Sequence, residues 1–124
     1  MKKALPFLPA ALFYGLIFFL SSRPMRLHIP LSHWDKWAHG AAYALLGFLL
    51  ASGFFRILRA SLKTRLVAVL LAGVSLGILD EIHQSFVPGR TPDALDVAAD
   101  LAGVVLGLLL FRQVFWKKRQ EKRP

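Results

Sequence analysis

No cysteine occurs in the 124-residue chain, so disulfides, thiolate nucleophiles and every cysteine-ligated zinc or iron–sulfur site are excluded. Acidic residues are scarce: 7 Asp and Glu stand against 16 Lys and Arg, a net charge of +9. The sequence carries no internal repeat, no low-complexity linker, no Ser/His/Asp arrangement and no phosphate-cradling glycine loop. What it has in excess is apolar surface. Hydrophobic residues make up 56% of the chain, Phe alone occurs 10 times, and mean hydropathy is +0.51. A single small domain cannot bury that much apolar area in water. Basic charge interleaved with long apolar runs is the pattern of membrane loops. The expected partner is therefore the lipid bilayer, and no nucleic acid.

Four apolar stretches are separated by polar punctuation. The first runs from Ala4 to Ser22, the second from Trp37 to Phe55 and the fourth from Val97 to Phe115, each near the ~20 residues that span hydrocarbon. The third, Leu66 to Leu79, is too short unless it continues through Asp80, Glu81, His83 and Gln84 to about Val87. Spanning then carries ionisable side chains into the outer part of the bilayer. The expected fold is all-α: one domain over residues 1–124, a polytopic four-transmembrane-helix bundle with a basic tail at 117–124. Twelve Lys and Arg fall before the first stretch, between the second and third, and at or after the end of the fourth, where Arg112 is the first; only Arg23, Arg26, Lys36 and Arg90 fall on the other side. The positive-inside rule then puts both termini in the cytoplasm. A cleaved signal peptide over residues 1–22 is the competing reading, but its core is long and no A-x-A-type site follows. Trp34, Trp37 and Trp116 suit an interfacial belt, and Phe13, Phe18 and Phe19 read as lipid-facing or packing residues.

The acidic residues are sorted along the chain. Glu121 lies at the cytoplasmic end; Asp35, Asp80, Glu81, Asp93, Asp96 and Asp100 gather at the external end with His33, His39 and His83, and His28 lies in the first external loop. Charged groups inside membrane helices are costly and mark function by default. Asp35, His39 and Tyr43 are four apart, Asp80, His83 and Gln84 follow an i, i+3, i+4 pattern, and Asp93, Asp96 and Asp100 follow i, i+3, i+7, so each set lines one helix face. Helices three and four mirror each other about Arg90, pairing Gly73 with Gly107, Gly77 with Gly103, Asp80 with Asp100 and Gln84 with Asp96. Two G-x-x-x-G faces in that register predict close packing of the two helices through their glycines, with Asp80 beside Asp100. Two carboxylates at one depth require a shared proton or a cation between them. Arg90, Lys36, a protonated His39 or His83, or a bound metal can supply it.

These residues resemble a known family. The stretch Asp35-Lys36-x-x-His39-x-x-x-Tyr43, then Asp80-Glu81-x-His83-Gln84-x-x-x-Pro88-Gly89-Arg90, then Asp96, Gly103 and Gly107, is similar to the VanZ-like family over a core region of residues 34–110. The resemblance implies a small bacterial multi-helix protein of the plasma (inner) membrane, with an activity unassigned for most members. The family takes its name from an accessory protein of glycopeptide-resistance clusters linked to reduced teicoplanin sensitivity. One position departs from its pattern: the residue four after the helix-four Asp is often Asn, and here it is Asp100. An Asp–Asn pair needs no shared proton.

Several functional classes follow. In the first, an external pocket acts on an amphiphile: a phospholipid, a polyprenyl-linked cell-wall precursor or another lipid entering sideways. Asp80 and Asp96 transfer protons, His39 and His83 titrate near neutrality, and Asp35, Lys36, Tyr43, Glu81, Gln84, Arg90, Asp93 and Asp100 line the substrate. Arg90 on its Pro-Gly turn can grip a phosphate or carboxylate. A divalent metal held by Asp80, Asp96, His39 and His83 is an alternative use of the same groups. In the second class, the pocket is a non-catalytic binding or protection module for a headgroup or a glycopeptide, or the charges form a structural ion-pair network. An ion or proton pathway is the third, disfavoured because helices two to four are apolar below Tyr43, Gly77 and Gly103.

Overall fold

The computed structural model describes residues 2–23 and 34–121, apart from the side chains of residues 34, 35, 116, 117, 119 and 120. His28 and His33 fall outside the described residues, as does the side chain of Asp35. Among the described residues there is no strand. A 3-10 turn, Leu5–Phe7, leads into α1 (Leu8–Ser21); α2 (Trp34–Ile57), α3 (Leu62–Gln84) and α4 (Ala94–Glu121) follow.

Local chemistry sets these boundaries. Pro6 and Pro9 occupy first-turn positions of the 3-10 turn and α1, where a missing N–H costs nothing. Ser61 caps α3 by accepting from the Thr64 N–H at 3.1 Å. Between α3 and α4, Arg90 N–H donates to Val87 C=O at 3.2 Å, with Gly89 at φ 78°. Pro88 at the second position and a positive-φ glycine at the third make the arrangement of a type II turn. Asp93 then opens α4, its Oδ1 accepting from Leu95 N–H at 2.9 Å.

Three helices are long and apolar enough to cross a membrane: Lys36–Ile57, Leu62–Gln84 and Ala94–Phe115. The third expected span gains its length at the start rather than at the end, beginning at Leu62 and stopping at Gln84. Asp80 and Glu81 still fall within it. The first apolar segment is shorter than the others, a helix over Leu5–Ser21. Its 14-residue α-helical part extends ~21 Å at 1.5 Å per residue, against ~30 Å of hydrocarbon. Large apolar side chains face outward on all four helices, among them Leu12, Leu71, Ile82 and Leu106. Trp37 is 75% exposed at the start of α2, as an interfacial anchor would be.

The interior is built where α2 and α4 meet. Tyr43, Leu46, Leu50, Val104, Leu108 and Phe111 are buried there, with Val69 contributed by α3. Small residues allow this contact. A Cβ at Gly103 would meet Gly40 O and lie 3.0 Å from Ala44 N; one at Gly107 would meet Ala44 O and lie 2.8 Å from Phe48 N; one at Gly47 would lie 2.8 Å from Val104 Cα. The expected glycine-to-glycine seam between α3 and α4 is therefore corrected. The α4 glycines face the backbone of α2, while Gly73 and Gly77 of α3 receive Val104 and Asp100 of α4. Side-chain volume decides the pairing: Val104 fills the notch at Gly73 and holds α3 off, leaving the α4 glycines to α2. At the opposite end Phe7 packs edge-on against Phe54 at 4.9 Å, and Phe111 against Phe55 at 5.2 Å. The starts of the chain and of α3 and the ends of α2 and α4 thus share one end of the bundle, and the acidic residues 80–100 occupy the other.

Candidate functional site

The close α2–α4 approach brings bases on the first turns of α2 to acids on the first turns of α4. Lys36 Nζ donates to Asp93 Oδ2 at 2.9 Å and to Asp96 Oδ1 at 3.2 Å. One turn deeper, His39 Nδ1 pairs with Asp100 Oδ1 at 3.0 Å. Exposure falls along this path: the Asp93 side chain is 43% exposed and Asp96 7%, while Asp100 is 1% exposed. The Lys36 ammonium beside Asp93 holds that carboxyl below the usual carboxylate range, with the Leu95 N–H adding to the effect.

α3 completes the recess. Glu81 Oε2 accepts from the Asp93 backbone N–H at 3.0 Å, so Asp93 caps α4, holds Lys36 and anchors Glu81 at once. Glu81, Asp96 and His39 each offer a ligand atom, all within 4.8 Å of one another. Asp80, fully buried, faces α1: its Oδ2 accepts from Ser21 Oγ at 3.1 Å and from Gln84 Nε2 at 3.2 Å. Beside it a cleft of about 200 Å³ is bordered by Ser21, His39, Tyr43, Asp80 and Arg90. Tyr43 is buried and donates its hydroxyl to Leu76 C=O at 3.4 Å. Arg90 Nε–H donates to Arg23 C=O at 3.4 Å, which ties the Pro-Gly turn to the end of α1.

Three carboxylate oxygens in this region, Asp80 Oδ1, Glu81 Oε1 and Asp100 Oδ2, are buried without a hydrogen-bond partner among the described residues. Buried acceptors are ordinarily satisfied, and leaving one bare costs about 1–3 kcal/mol. The recess is thus rich in acceptors and short of donors. An imidazole with two carboxylates suits Zn²⁺ or Mn²⁺, and the unpartnered Glu81 Oε1 fits such a cation. Lys36 already occupies Asp96 Oδ1, so an ion there would use the other Asp96 oxygen or displace the ammonium.

The sequence-predicted residues divide accordingly. Lys36, Glu81, Asp93 and Asp96 form one hydrogen-bonded cluster, and the His39–Asp100 pair lies against it with His39 within 4.8 Å of Glu81 and Asp96. Asp80 and Gln84 form a second cluster against α1. His83 belongs to neither: it stacks on Phe18 at 3.9 Å and hydrogen-bonds Ser22 Oγ at 2.8 Å. The metal-capable set keeps His39 and Asp96 of the expected four and has Glu81 where Asp80 and His83 were expected. Sequence reasoning missed α1. Ser21, Ser22, Phe18 and Tyr14 all contact polar groups of α3, Tyr14 by donating to Leu76 C=O at 3.0 Å. The signal was present: two hydroxyls ending an apolar run at the depth where the acids lie.

Neither a curated protein nor a solved structure matches the chain. A family model does, over residues 5–117, which include α1, α2, α3 and all but the last residues of α4. With its acid-rich recess between apolar helices, the chain belongs to the VanZ/LLP1 family.

Proposed function

We propose that this chain is a multi-pass protein of the bacterial plasma membrane, both termini in the cytoplasm, whose recess binds the polar head of an amphiphile at the external surface. The observation that carries this reading is the set of buried acceptor oxygens on Asp80, Glu81 and Asp100 that find no donor among the described residues. A ligand bearing hydroxyl or ammonium donors satisfies them, as does a divalent cation; a bare anion does not. Lipids with amine or sugar heads, lipid-linked cell-wall precursors and glycopeptide antibiotics all present such donors. The 200 Å³ cleft beside α1 admits a headgroup rather than a whole lipid, which leaves the chains in the bilayer. Where the bound head reacts, Asp96 and His39 are the acid–base pair of choice, because they lie beside one another with Lys36 and Asp100 holding each in place.

The second reading, a structural ion-pair network, draws support from the Lys36 and His39 pairs alone. Mass spectrometry of lipids co-purifying with the protein, set against the Asp80→Asn variant, separates the two. The binding reading expects a defined amphiphile retained by the parent chain and lost from the folded variant. Identical lipid profiles would sink it.

A further inference from the structure

The opposite end of the bundle holds the larger void, a cleft of about 670 Å³ where the end of α2, the start of α3 and the last turns of α4 diverge. Four cations line it: Arg56, Arg65, Arg112 and Lys118. No acidic residue does, and among the described residues none of the four is paired with a carboxylate. Two of them lie over aromatic faces instead, the Arg65 guanidinium 5.5 Å from the Phe55 ring centre and the Lys118 ammonium 5.9 Å from that of Phe115. Arg65 Nε is buried and has no hydrogen-bond partner among the described residues.

The positive-inside rule explains basic residues at this end, but it calls only for charge in water. Arg59 and Lys63, on the same connection, are exposed and do not line the cleft; of the four cations that do, Arg56 and Lys118 are exposed at its rim, while Arg65 and Arg112 are half-buried. Converging like charges repel, and a buried guanidinium N–H without an acceptor is costly; no side chain lining the cleft supplies a negative charge. We infer that it binds the phosphate of a phosphomonoester-headed amphiphile, the phosphate among Arg65, Arg112 and Arg56 and the first apolar segment against Phe55, Phe111 and Phe115. A phosphomonoester carries nearly two charges and three acceptor oxygens, which matches several forked guanidinium groups better than a phosphodiester does. The cleft is also far larger than inorganic phosphate needs, and its remaining wall is a run of rings, with Phe111 5.2 Å from Phe55 and 4.5 Å from Phe115.

The test uses the full chain in phosphatidylcholine nanodiscs containing either phosphatidic acid or phosphatidylglycerol at matched surface charge, with lipids that survive release counted by native mass spectrometry. The parent chain is expected to retain phosphatidic acid in preference to phosphatidylglycerol. Arg65→Gln/Arg112→Gln should lower that retention by about tenfold or more, the effect of losing a charge-assisted contact. The charge-matched control Arg59→Gln/Lys63→Gln should change it less than about twofold. Circular dichroism and gel filtration establish folding; if the double variant fails them, the same loss is required of Arg112→Gln alone. Equal loss in the control overturns the inference in favour of general surface charge. Equal retention of both lipids overturns the phosphomonoester assignment, and displacement of the lipid by millimolar inorganic phosphate overturns the amphiphile.

Discussion

Replacing Gly103 by Ala tests whether the polar recess depends on the close approach of α2 to α4. The added Cβ would meet Gly40 O and lie 3.0 Å from both Ala44 N and Tyr43 Cβ. Carbon contacts settle near 3.5–4.0 Å, so the helices must part by at least about 0.5 Å. One turn away, the 3.0 Å pair between His39 Nδ1 and Asp100 Oδ1 would then open to about 3.5 Å, the outer edge of a hydrogen bond. Overpacking costs about 1–3 kcal/mol, and a weakened hydrogen bond inside a membrane protein adds about 0.6–1.7 kcal/mol. A loss of roughly 2–4 kcal/mol is expected, read from denaturant unfolding in detergent micelles. Two other glycines calibrate the assay. Nothing lies within 4 Å of a Cβ at Gly15, and one at Gly40 meets only Ala99 O at 3.9 Å, so Gly15→Ala and Gly40→Ala should unfold near the parent midpoint. Co-purifying ligand should fall with Gly103→Ala alone. If that variant unfolds within about 0.5 kcal/mol of Gly15→Ala, the steric account of the recess is wrong.

Asp93 should make stability depend on pH. Its folded pKa lies below the ordinary value, largely through Lys36, so its contribution is fully present above the ordinary carboxylate range. It is lost as pH falls through the folded value; the stability gap between parent and Asp93→Asn should therefore close in acid. Asn keeps the capping oxygen, so the gap reports the carboxylate charge, and a gap that persists in acid would refute the Lys36 account. Glu81→Gln should weaken Zn²⁺ or Mn²⁺ binding by about tenfold or more if the trio holds a metal; titration calorimetry showing unchanged affinity, or none in the parent, removes the ion from the recess. A cysteine at Thr91, unique in a chain without others, should react with an impermeant thiol reagent from outside intact cells. Protection there reverses the proposed orientation.

Helix number and approximate limits were legible because apolar run length is read from the sequence directly. The start of α3 was not: Thr64 and Arg65 look like loop residues, yet the Ser61 cap draws them into the helix. The grouping of acids with His39 and Lys36 at one end followed from the order of the apolar spans, and helical spacing set their faces. Their partners did not, because spacing on one helix says nothing of which neighbour it meets. The mirrored glycines illustrate this. Both motifs exist, but Val104 against Gly73 separates their faces, and only side-chain volume in three dimensions reveals that. His83 was misgrouped for the same reason. It shares α3 with Asp80, three residues away, but turns toward Phe18 and Ser22.

Several long-range polar ties skip a helix. Ser21 reaches Asp80 from α1 to α3 across 59 residues, and Lys36 and His39 reach Asp96 and Asp100 from α2 to α4 across 60 and 61. A chain entering the bilayer from its N-terminus gives Asp80 Oδ2 its Ser21 and Gln84 donors once the third segment arrives. Lys36 and Glu81 Oε2, however, gain the partners described above only when residues 93–96 are in place, and lipid makes a delay costly. A chain truncated before residue 93 should therefore be less stable in the bilayer than the full chain.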